Sequence, residues 1–285
     1  MIEGVELDDG EYGVRAAITS AWTEAMADVL LKNKVVELEL NQGKGWRGRD
    51  LSFLAGLPGL KSLTVHDFTV PSVEPVHRLP HLRQLTVSTY CDSEINFATF
   101  PELERCSLEW RRGAASVFDC GTLKHLFVNR YNGTAFEPFS RLRRLESLAI
   151  LNSPQASLDG IGALASLRSL RLASLRKLTS LAGLEAVKGL EELNIHTCRR
   201  VSTIDEIGHL RRLRRLSLNN SGAIASLRAL NTLDSLEFVS FYESTTIVDG
   251  DLSPLLRQPH LERVAFMNRR HYSHKREDFD ADNRA

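Results

Sequence analysis

The chain has 285 residues with 36 basic and 36 acidic side chains, so its formal net charge is zero. Hydrophobic residues make up 42% and charged residues 25% of the sequence, which is ordinary usage for a globular protein. The balanced charge argues against a protein whose main work is binding nucleic-acid backbones, because that work needs a basic excess.

Compartment and cofactor use are predicted from the cysteines and the apolar runs. The four cysteines (Cys91, Cys106, Cys120 and Cys198) fit neither a disulfide framework nor a zinc ribbon. No secretory signal and no apolar run of transmembrane length is visible. We therefore expect a cytoplasmic protein with reduced thiols, no cofactor and no membrane partner. Arginine accounts for 28 of the basic residues and lysine for 8, a bias common in GC-rich bacterial genomes.

Residues 1–34 precede the regular part of the sequence and are predicted to form an N-terminal cap. Asp9 and Gly10 suggest the turn of a hairpin within residues 2–18. A helix is predicted over residues 20–33, with Ser20 as its N-cap. Apolar side chains recur there at helical spacing, at Trp22, Met26, Val29 and Leu30.

A short apolar pattern then recurs through most of the chain. Leu60-Lys-Ser-Leu63-Thr-Val65 returns as Leu82-Arg-Gln-Leu85-Thr-Val87, and an earlier copy starts at Val35. Successive copies are separated by 20 to 25 residues. Ten copies begin with leucine, at Leu60, Leu82, Leu103, Leu123, Leu145, Leu167, Leu190, Leu213, Leu236 and Leu261.

The spacing within one copy predicts its local structure. Leu193 and Ile195 are two residues apart, so both point to the same side of a strand. Val201, Ile204 and Ile207 follow at three-residue spacing, which suits a 3₁₀ turn better than an α-helix. A unit this short cannot bury its own apolar face, so neighbouring copies must stack into a continuous core.

Over residues 35–268 this pattern resembles the leucine-rich repeat family. The longer consensus of that family, LxxLxLxxCxxL, is met in full from Leu190 to Val201. The resemblance implies an α/β solenoid of horseshoe shape, with a parallel sheet of about 10–11 short strands on the concave face and 3₁₀ or irregular turns on the convex face. It also implies a binding scaffold rather than an enzyme. Residues 269–285 are highly charged and are predicted to form a polar, partly disordered tail.

The position of Cys198 in this consensus normally holds a small polar side chain. Its equivalents here are varied, and the sequence therefore predicts no continuous polar ladder and a less regular solenoid in the first half. The equivalents are Phe68, Tyr90, Arg111, Tyr131, Ser153, Leu175, Ser221, Ser244 and Arg269.

No catalytic motif was found among the nucleophile, zinc and phosphate-loop signatures. Cys91 is the one thiol that the repeat does not explain, so a thiol-dependent enzyme is the least favoured alternative. Three strand histidines lie several repeats apart, too far for a shared metal. The glycine-rich segment around Trp46 is interpreted as a loop, or alternatively as an exposed Trp–Arg contact.

Strand residues that alternate with the core positions form one face of the sheet, and most of them are small or polar. Large apolar side chains on such a face indicate a contact surface, and Trp, Tyr and Arg are enriched among interface anchors. The predicted partner-binding residues are Trp110, Phe127, Tyr131, Leu151, Arg171, His196, Arg215, Phe238, Tyr242 and Met267.

A second candidate surface lies in the loops that follow the strands. Arg176-Lys177 and Arg199-Arg200 occupy the same positions in adjacent repeats, so they should stack into a basic edge. An ordinary solvated surface and a docking edge for an acidic protein or a nucleic acid are both open. The sequence favours a non-catalytic protein-binding module of the inhibitor, immunity or adaptor kind, acting through the sheet face on a protein partner.

Overall fold

Short parallel strands alternating with 3₁₀ turns account for nearly all of the regular structure. The computed structural model describes residues 3–279, and the chain divides into two compact units, Met1–Val128 and Asn129–Ala285. Each of the eleven copies found in the sequence contributes one strand. The predicted repeat architecture is therefore confirmed.

The first unit begins with a hairpin and a helix. Strands β1 (Val5–Asp9) and β2 (Val14–Ile18) pair antiparallel, and helix α1 spans Glu24–Lys32. The N-cap residue of α1 is Thr23 rather than Ser20, whose hydroxyl donates instead to the Ala21 carbonyl. The five strands that follow, in chain order, are β3 (Glu37–Asn41), β4 (Ser62–His66), β5 (Gln84–Ser88), β6 (Arg105–Glu109) and β7 (His125–Asn129), the last of which contains the unit boundary.

In the second unit the strands of the main sheet pair in parallel and in chain order. The two short strands β12 and β14 are not part of that sheet and pair with each other in a small side sheet. The elements are β8 (Ser147–Leu151), β9 (Ser169–Ala173), β10 (Glu192–His196), β11 (Arg215–Asn219), β12 (Ala223–Ile224), β13 (Phe238–Phe241), β14 (Thr246–Ile247), α2 (Ser253–Leu256) and β15 (Arg263–Phe266).

The 3₁₀ turns arise directly from the three-residue spacing of the apolar side chains. Val76, Leu79 and Leu82 are buried, and each donates its N–H to the carbonyl three residues earlier, at 3.0, 3.1 and 3.4 Å. The turns between strands are Ser52–Gly56, Glu74–Arg78, Phe97–Thr99, Arg112–Asp119, Glu137–Arg141, Ile161–Ala163, Leu184–Ala186, Asp205–His209 and Arg228–Thr232. Two further 3₁₀ segments are Gln42–Lys44, directly after β3, and Arg276–Phe279, after the last strand.

The core lies between the strands and these turns. Leu193 and Ile195 on strand β10 are 1% and 0% exposed, and the turn residues Val201, Ile204 and Ile207 are equally buried. Burial of an aliphatic side chain contributes about 1.5–3 kcal/mol. Because every coil repeats this arrangement, the inward leucines make one continuous core within each unit.

The buried Leu175 interrupts the series of side chains at the Cys198 position, in agreement with the prediction that no continuous polar ladder exists, but a short polar ladder is present in later coils of the second unit. Ser221 Oγ lies within hydrogen-bond distance of the carbonyl oxygens of Ile195 and Asn219, at 3.2 and 3.1 Å, and its one hydrogen is available to either. The next member is Thr245 rather than Ser244. Its hydroxyl donates to the Leu218 carbonyl and accepts the N–H of Ser221 at 2.9 Å.

The described part of the C-terminal segment packs onto the last coils instead of extending away from them. The hydroxyl of Tyr272 accepts the N–H of Ile247 at 3.0 Å. Phe279 is 2% exposed, with its ring centroid 5.9 Å from that of Phe266. Up to Phe279 the predicted polar tail is therefore ordered, and residues 280–285 of that prediction lie outside the described residues.

Candidate functional site

In the second unit, the strand residues that alternate with the core form a surface that we call the sheet face. The parallel register places equivalent residues of successive strands side by side. The central row is Ala149, Arg171, Asn194, Ser217, Ser240 and Ala265. Its side chains are mostly small, so the surface is shallow and its shape depends on the flanking rows.

Apolar exposure on the sheet face is concentrated at its C-terminal end. Tyr242 and Met267 are 43% and 51% exposed. In the flanking row on the other side of Ser240, about 13 Å away along the strand, the Arg215 guanidinium lies 4.8 Å from the centre of the Phe238 ring, and these two residues are register partners on β11 and β13. Arg263 follows Phe238 in the same row. An aromatic, cationic and thioether surface of this kind has the composition enriched at protein interfaces.

Hydrogen bonds hold the backbone and side chains of this end in place. The side-chain oxygen of Asn219 accepts the N–H of Tyr242 at 2.8 Å and the hydroxyl of Ser240 at 3.2 Å. Ser240 is also bonded to Ser217 at 3.2 Å. The exposed ring of Tyr242 therefore projects from a well-connected base.

The remaining predicted residues of the second unit lie further along the sheet face. Leu151 and His196 are half-buried and flank the buried Ala173, in register. Arg171 is exposed in the central row. Nδ1 of His196 lies 2.9 Å from the hydroxyl of Thr197. These side chains belong to the same surface but expose less apolar area than Tyr242 and Met267.

Tyr131 is not available to a partner, and this part of the prediction is wrong. It is 4% exposed, and its ring packs edge-on against Phe139 with centroids 5.1 Å apart. A side chain on Gly133 would lie 2.2 Å from the Tyr131 hydroxyl oxygen, so the ring also covers that glycine. Burial raises the pKa of the Tyr131 phenol.

Two predicted residues belong to the first unit. Phe127 is half-buried on β7, and Trp110 is half-buried with its ring centroid 5.5 Å from that of Phe118.

Trp46 has no exposed surface, which excludes the alternative of an exposed Trp–Arg contact. Arg47 instead donates to the carbonyls of Gln42 and Trp46, at 3.0 and 2.8 Å.

Sequence reasoning missed an exposed aromatic cluster in the first unit, formed by His66, Phe68 and Tyr90. Phe68 is 38% and Tyr90 56% exposed, and their ring centroids are 4.7 Å apart. His66 lies edge-on to Phe68 at 5.3 Å. The available signal was the presence of two large aromatic side chains at a repeat position that normally holds a small, inward-facing side chain.

The basic edge is exposed at all four of its predicted residues: Arg176, Lys177, Arg199 and Arg200. Only one of the two pairs lines a cavity of about 490 Å³. Arg176 and Lys177 line it, while Arg199 lies outside and contacts Asn220 Oδ1 at 3.4 Å. The other lining residues of the cavity are Arg130, Asn152, Ser153, Pro154 and Ser174.

The cysteines offer no assembled catalytic group. Cys91 is half-buried, with its Sγ 3.0 Å from Arg111 Nη1 and 3.2 Å from Ser93 Oγ. Burial raises the pKa of the Cys198 thiol to about 11 and that of Cys106 well above its ordinary value. Within residues 3–279, no three His, Cys, Asp or Glu side chains are grouped so as to hold a metal ion.

Comparison with known proteins identifies the fold. No family model matches the sequence, and the search of curated proteins gave no match either. An internalin (InlF) from Listeria monocytogenes is 16% identical, covers 90% of this chain and 87% of its own, and superposes with a TM-score of 0.59. A TDR receptor is 15% identical with a TM-score of 0.60, and the match covers 87% of this chain but 46% of the receptor.

The fold is a leucine-rich repeat solenoid. The pattern of leucines, the parallel strands and the 3₁₀ turns all agree with this assignment. In the part of the chain that the structure describes, no helix is long and apolar enough to cross a membrane.

Proposed function

We propose that this leucine-rich repeat chain is a non-catalytic protein-binding module that holds a protein partner on the sheet face. The observation that carries the proposal is the exposed pair Tyr242 and Met267 on the same sheet face and the same last coils as the Arg215–Phe238 stack. We further propose a bacterial, cytoplasmic role as an inhibitor, an immunity-type protein or an adaptor. The arginine bias and the four free cysteines support that setting.

The physical basis is a preorganised surface. The sheet backbone and the Asn219 network are already in place, so binding orders few groups and loses little conformational entropy. Tyr and Arg side chains near the centre of an interface each contribute about 2 kcal/mol or more where they act as hot spots. Arg171, His196 and Leu151 supply further contacts along the same face. Trp110 and Phe127 remain proposed contacts on the first unit.

A second candidate function is binding of an acidic partner through the basic edge. The supporting observation is a run of four exposed cations in equivalent positions of two adjacent coils. Such a surface mainly raises the association rate and makes it depend on salt. The balanced net charge does not favour a nucleic acid as that partner.

The test is affinity capture from the native lysate with the full chain as bait. The decisive variant is Phe238→Ala/Tyr242→Ala, which removes two aromatic rings from the sheet face. A matched control is Val248→Ala/Leu256→Ala, because those side chains are 59% and 46% exposed but lie off the sheet face. We expect one protein to be captured by parent and control and reduced at least tenfold with the decisive variant.

Two results would contradict this assignment. Equal capture by parent and Phe238→Ala/Tyr242→Ala would show that the sheet face is not the binding surface. The second candidate would be favoured if Arg176→Gln/Lys177→Gln abolished capture and if capture by the parent decreased steeply as the salt concentration was raised. Purified partner and bait should then be compared by isothermal titration at two salt concentrations.

A further inference from the structure

The cavity of about 490 Å³ in the second unit, which we call the basic pocket, is lined by three cationic side chains: Arg130, Arg176 and Lys177. The other four lining residues are Asn152, Ser153, Pro154 and Ser174, so the lining contains no carboxylate. Neither Arg176 nor Lys177 forms an ion pair or a side-chain hydrogen bond with any residue between 3 and 279.

The pocket forms because a coil with short side chains lies between two coils that carry cationic side chains. Arg130, Asn152 and Ser174 occupy equivalent positions directly after their strands, and all three are left-handed, with φ of 58°, 53° and 57°. Stacked coils repeat at about 4.8 Å, so the backbones of Arg130 and Ser174 lie about 10 Å apart. The intervening Ser153 and Pro154 are too short to fill that space.

The backbone around the pocket is fixed by hydrogen bonds. The N–H of Arg130 donates to the Leu151 carbonyl at 2.8 Å, and the N–H of Asn152 donates to the Ala173 carbonyl at 2.9 Å. The Asn152 side-chain amide donates to Asn129 Oδ1 at 2.8 Å, and Ser153 is bonded through its hydroxyl to the carbonyl of Tyr131. The pocket is therefore a preformed feature of the coils.

Three cations around one concave site attract an anion of more than one charge. Guanidinium groups match the oxygens of a phosphate in a two-pronged geometry, and an ammonium adds a compact charge. A phosphomonoester carries about −1.5 to −2 charge at pH 7 and three acceptor oxygens. A carboxylate carries one charge, and a phosphodiester backbone needs a longer basic track than three side chains provide.

We propose that the basic pocket binds a phosphomonoester group. Arg176 and Lys177 form one wall of the site and Arg130 the other, with the group seated over Ser153 and Pro154. This inference does not depend on the proposed role of the sheet face, because no residue of the pocket is shared with the Tyr242 end.

The test is a titration of the full chain, isotopically labelled, followed by backbone amide NMR shifts. The probes are inorganic phosphate, N-acetyl-phosphoserine amide and acetate, at constant ionic strength. We expect both phosphate probes to shift the amides of Asn152, Ser153 and Ser174, with acetate at least tenfold weaker. Affinity should rise between pH 5 and pH 7.5, because the second phosphate pKa is about 6 and the dianion is the favoured form.

Charge-matched variants decide whether the pocket itself is responsible. Arg176→Gln/Lys177→Gln should weaken phosphate binding at least tenfold. Arg143→Gln/Arg144→Gln removes the same charge from exposed residues at the other end of strand β8 and should change affinity less than twofold. Phe238→Ala/Tyr242→Ala should bind phosphate like the parent, which separates this test from that of the sheet face.

The other outcomes of the titration identify the source of the phosphate group or overturn the proposal. A phosphoserine probe that binds at least fivefold tighter than inorganic phosphate supports a phosphorylated side chain as the source. Equal affinity supports a small free phosphate. Absence of shifts at the pocket amides, or equal weakening in both arginine variants, overturns the proposal. Acetate binding as tightly as phosphate would overturn it as well.

Discussion

The two units differ at the residue that follows each strand. In the second unit the residue directly after each of β7 to β11 is left-handed although it is never glycine: Arg130, Asn152, Ser174, Thr197 and Asn220. After β13 the left-handed residue is Glu243, two positions beyond the strand. The first five donate their N–H to the carbonyl at the end of the next coil's strand, at 2.8 to 3.1 Å. Within residues 3–128, the one non-glycine residue with positive φ is Lys34, which precedes a strand.

This single residue decides which side chains turn inward. In the second unit the left-handed residues after β7 to β11 are followed by buried side chains, which are at most 4% exposed: Tyr131, Ser153, Leu175, Cys198 and Ser221. In the first unit a buried polar residue comes directly after the strand, as at Asp67 and Thr89, which are each 1% exposed. The side chain after it then turns outward.

Aromatic exposure in the first unit is the direct consequence. Phe68, Tyr90 and Tyr131 all lie two residues beyond the end of a strand. Tyr131 follows the left-handed Arg130 and is buried, whereas Phe68 and Tyr90 follow Asp67 and Thr89 and are exposed. The comparison shows how a repeat can convert a core position into a surface one without a change in its leucines.

The largest expected effect concerns the polar ladder of the second unit. Thr245→Val removes a hydroxyl that bonds the Leu218 carbonyl and the Ser221 N–H, and it leaves both groups buried. A buried group without its partner costs about 1–3 kcal/mol, so we expect a loss of about 3 kcal/mol in the free energy of unfolding. Urea titration of parent and variant measures it.

Its control is the neighbouring Ser244→Ala. Ser244 is exposed and bonds the side chain of Asn220 at 2.7 Å, so its loss should cost about 0.5 kcal/mol or less. Equal losses at the two positions would show that the ladder does not continue through Thr245. The two units would then differ less in their buried polar side chains.

A pH effect is expected from the same ladder. The pKa of Cys198 is raised to about 11 in the folded chain because the thiol is buried, while the unfolded thiol ionises at about 8.5. The neutral thiol is thus favoured by folding, so this stabilisation is complete below the unfolded pKa and is lost as pH rises towards 11. A shift from about 8.5 to about 11, at about 1.4 kcal/mol per pKa unit, corresponds to about 3.5 kcal/mol in full, of which about 2 kcal/mol is lost between pH 8 and pH 10.5.

Urea titrations at pH 8 and pH 10.5 measure that effect. Other groups titrate in the same range, so the quantity to compare is the difference between parent and Cys198→Ala. The parent should lose about 2 kcal/mol more than the variant over this interval. An identical loss in both proteins would mean that Cys198 ionises as easily in the folded coil as in the unfolded chain.

The strands and turns could be predicted because two- and three-residue spacings of leucine are written directly in the sequence. Leu193, Ile195 and Val201 are at core positions for this reason alone. Most of the proposed sheet face follows from the same alternation, since Tyr242 and Met267 are one residue beyond core positions.

The left-handed residues could not be predicted in the same way. No glycine marks them, and Ser, Thr, Arg and Glu at such a position look like ordinary loop residues. A fixed offset from the leucines therefore failed to distinguish the buried Tyr131 from the exposed Phe68. The basic pocket depends on the same feature, because Arg130 and Ser174 face each other only through the conformation of their loops.

The smallest expected effect tests the cost of this conformation. Glu243 is exposed with φ of 59°, and its side chain forms no hydrogen bond or ion pair with residues 3–279. A left-handed residue with a Cβ costs about 1 kcal/mol, which glycine avoids. Glycine also has more freedom in the unfolded chain, worth about 0.5 kcal/mol in the opposite direction. Glu243→Gly should therefore stabilise the chain by about 0.5 kcal/mol, measured by urea titration.

The control Glu262→Gly changes an exposed residue with ordinary φ and should destabilise the chain by about 0.5–1 kcal/mol. If both substitutions destabilise the chain equally, the left-handed residue carries no conformational cost, and the contrast between the units lies in side-chain packing alone.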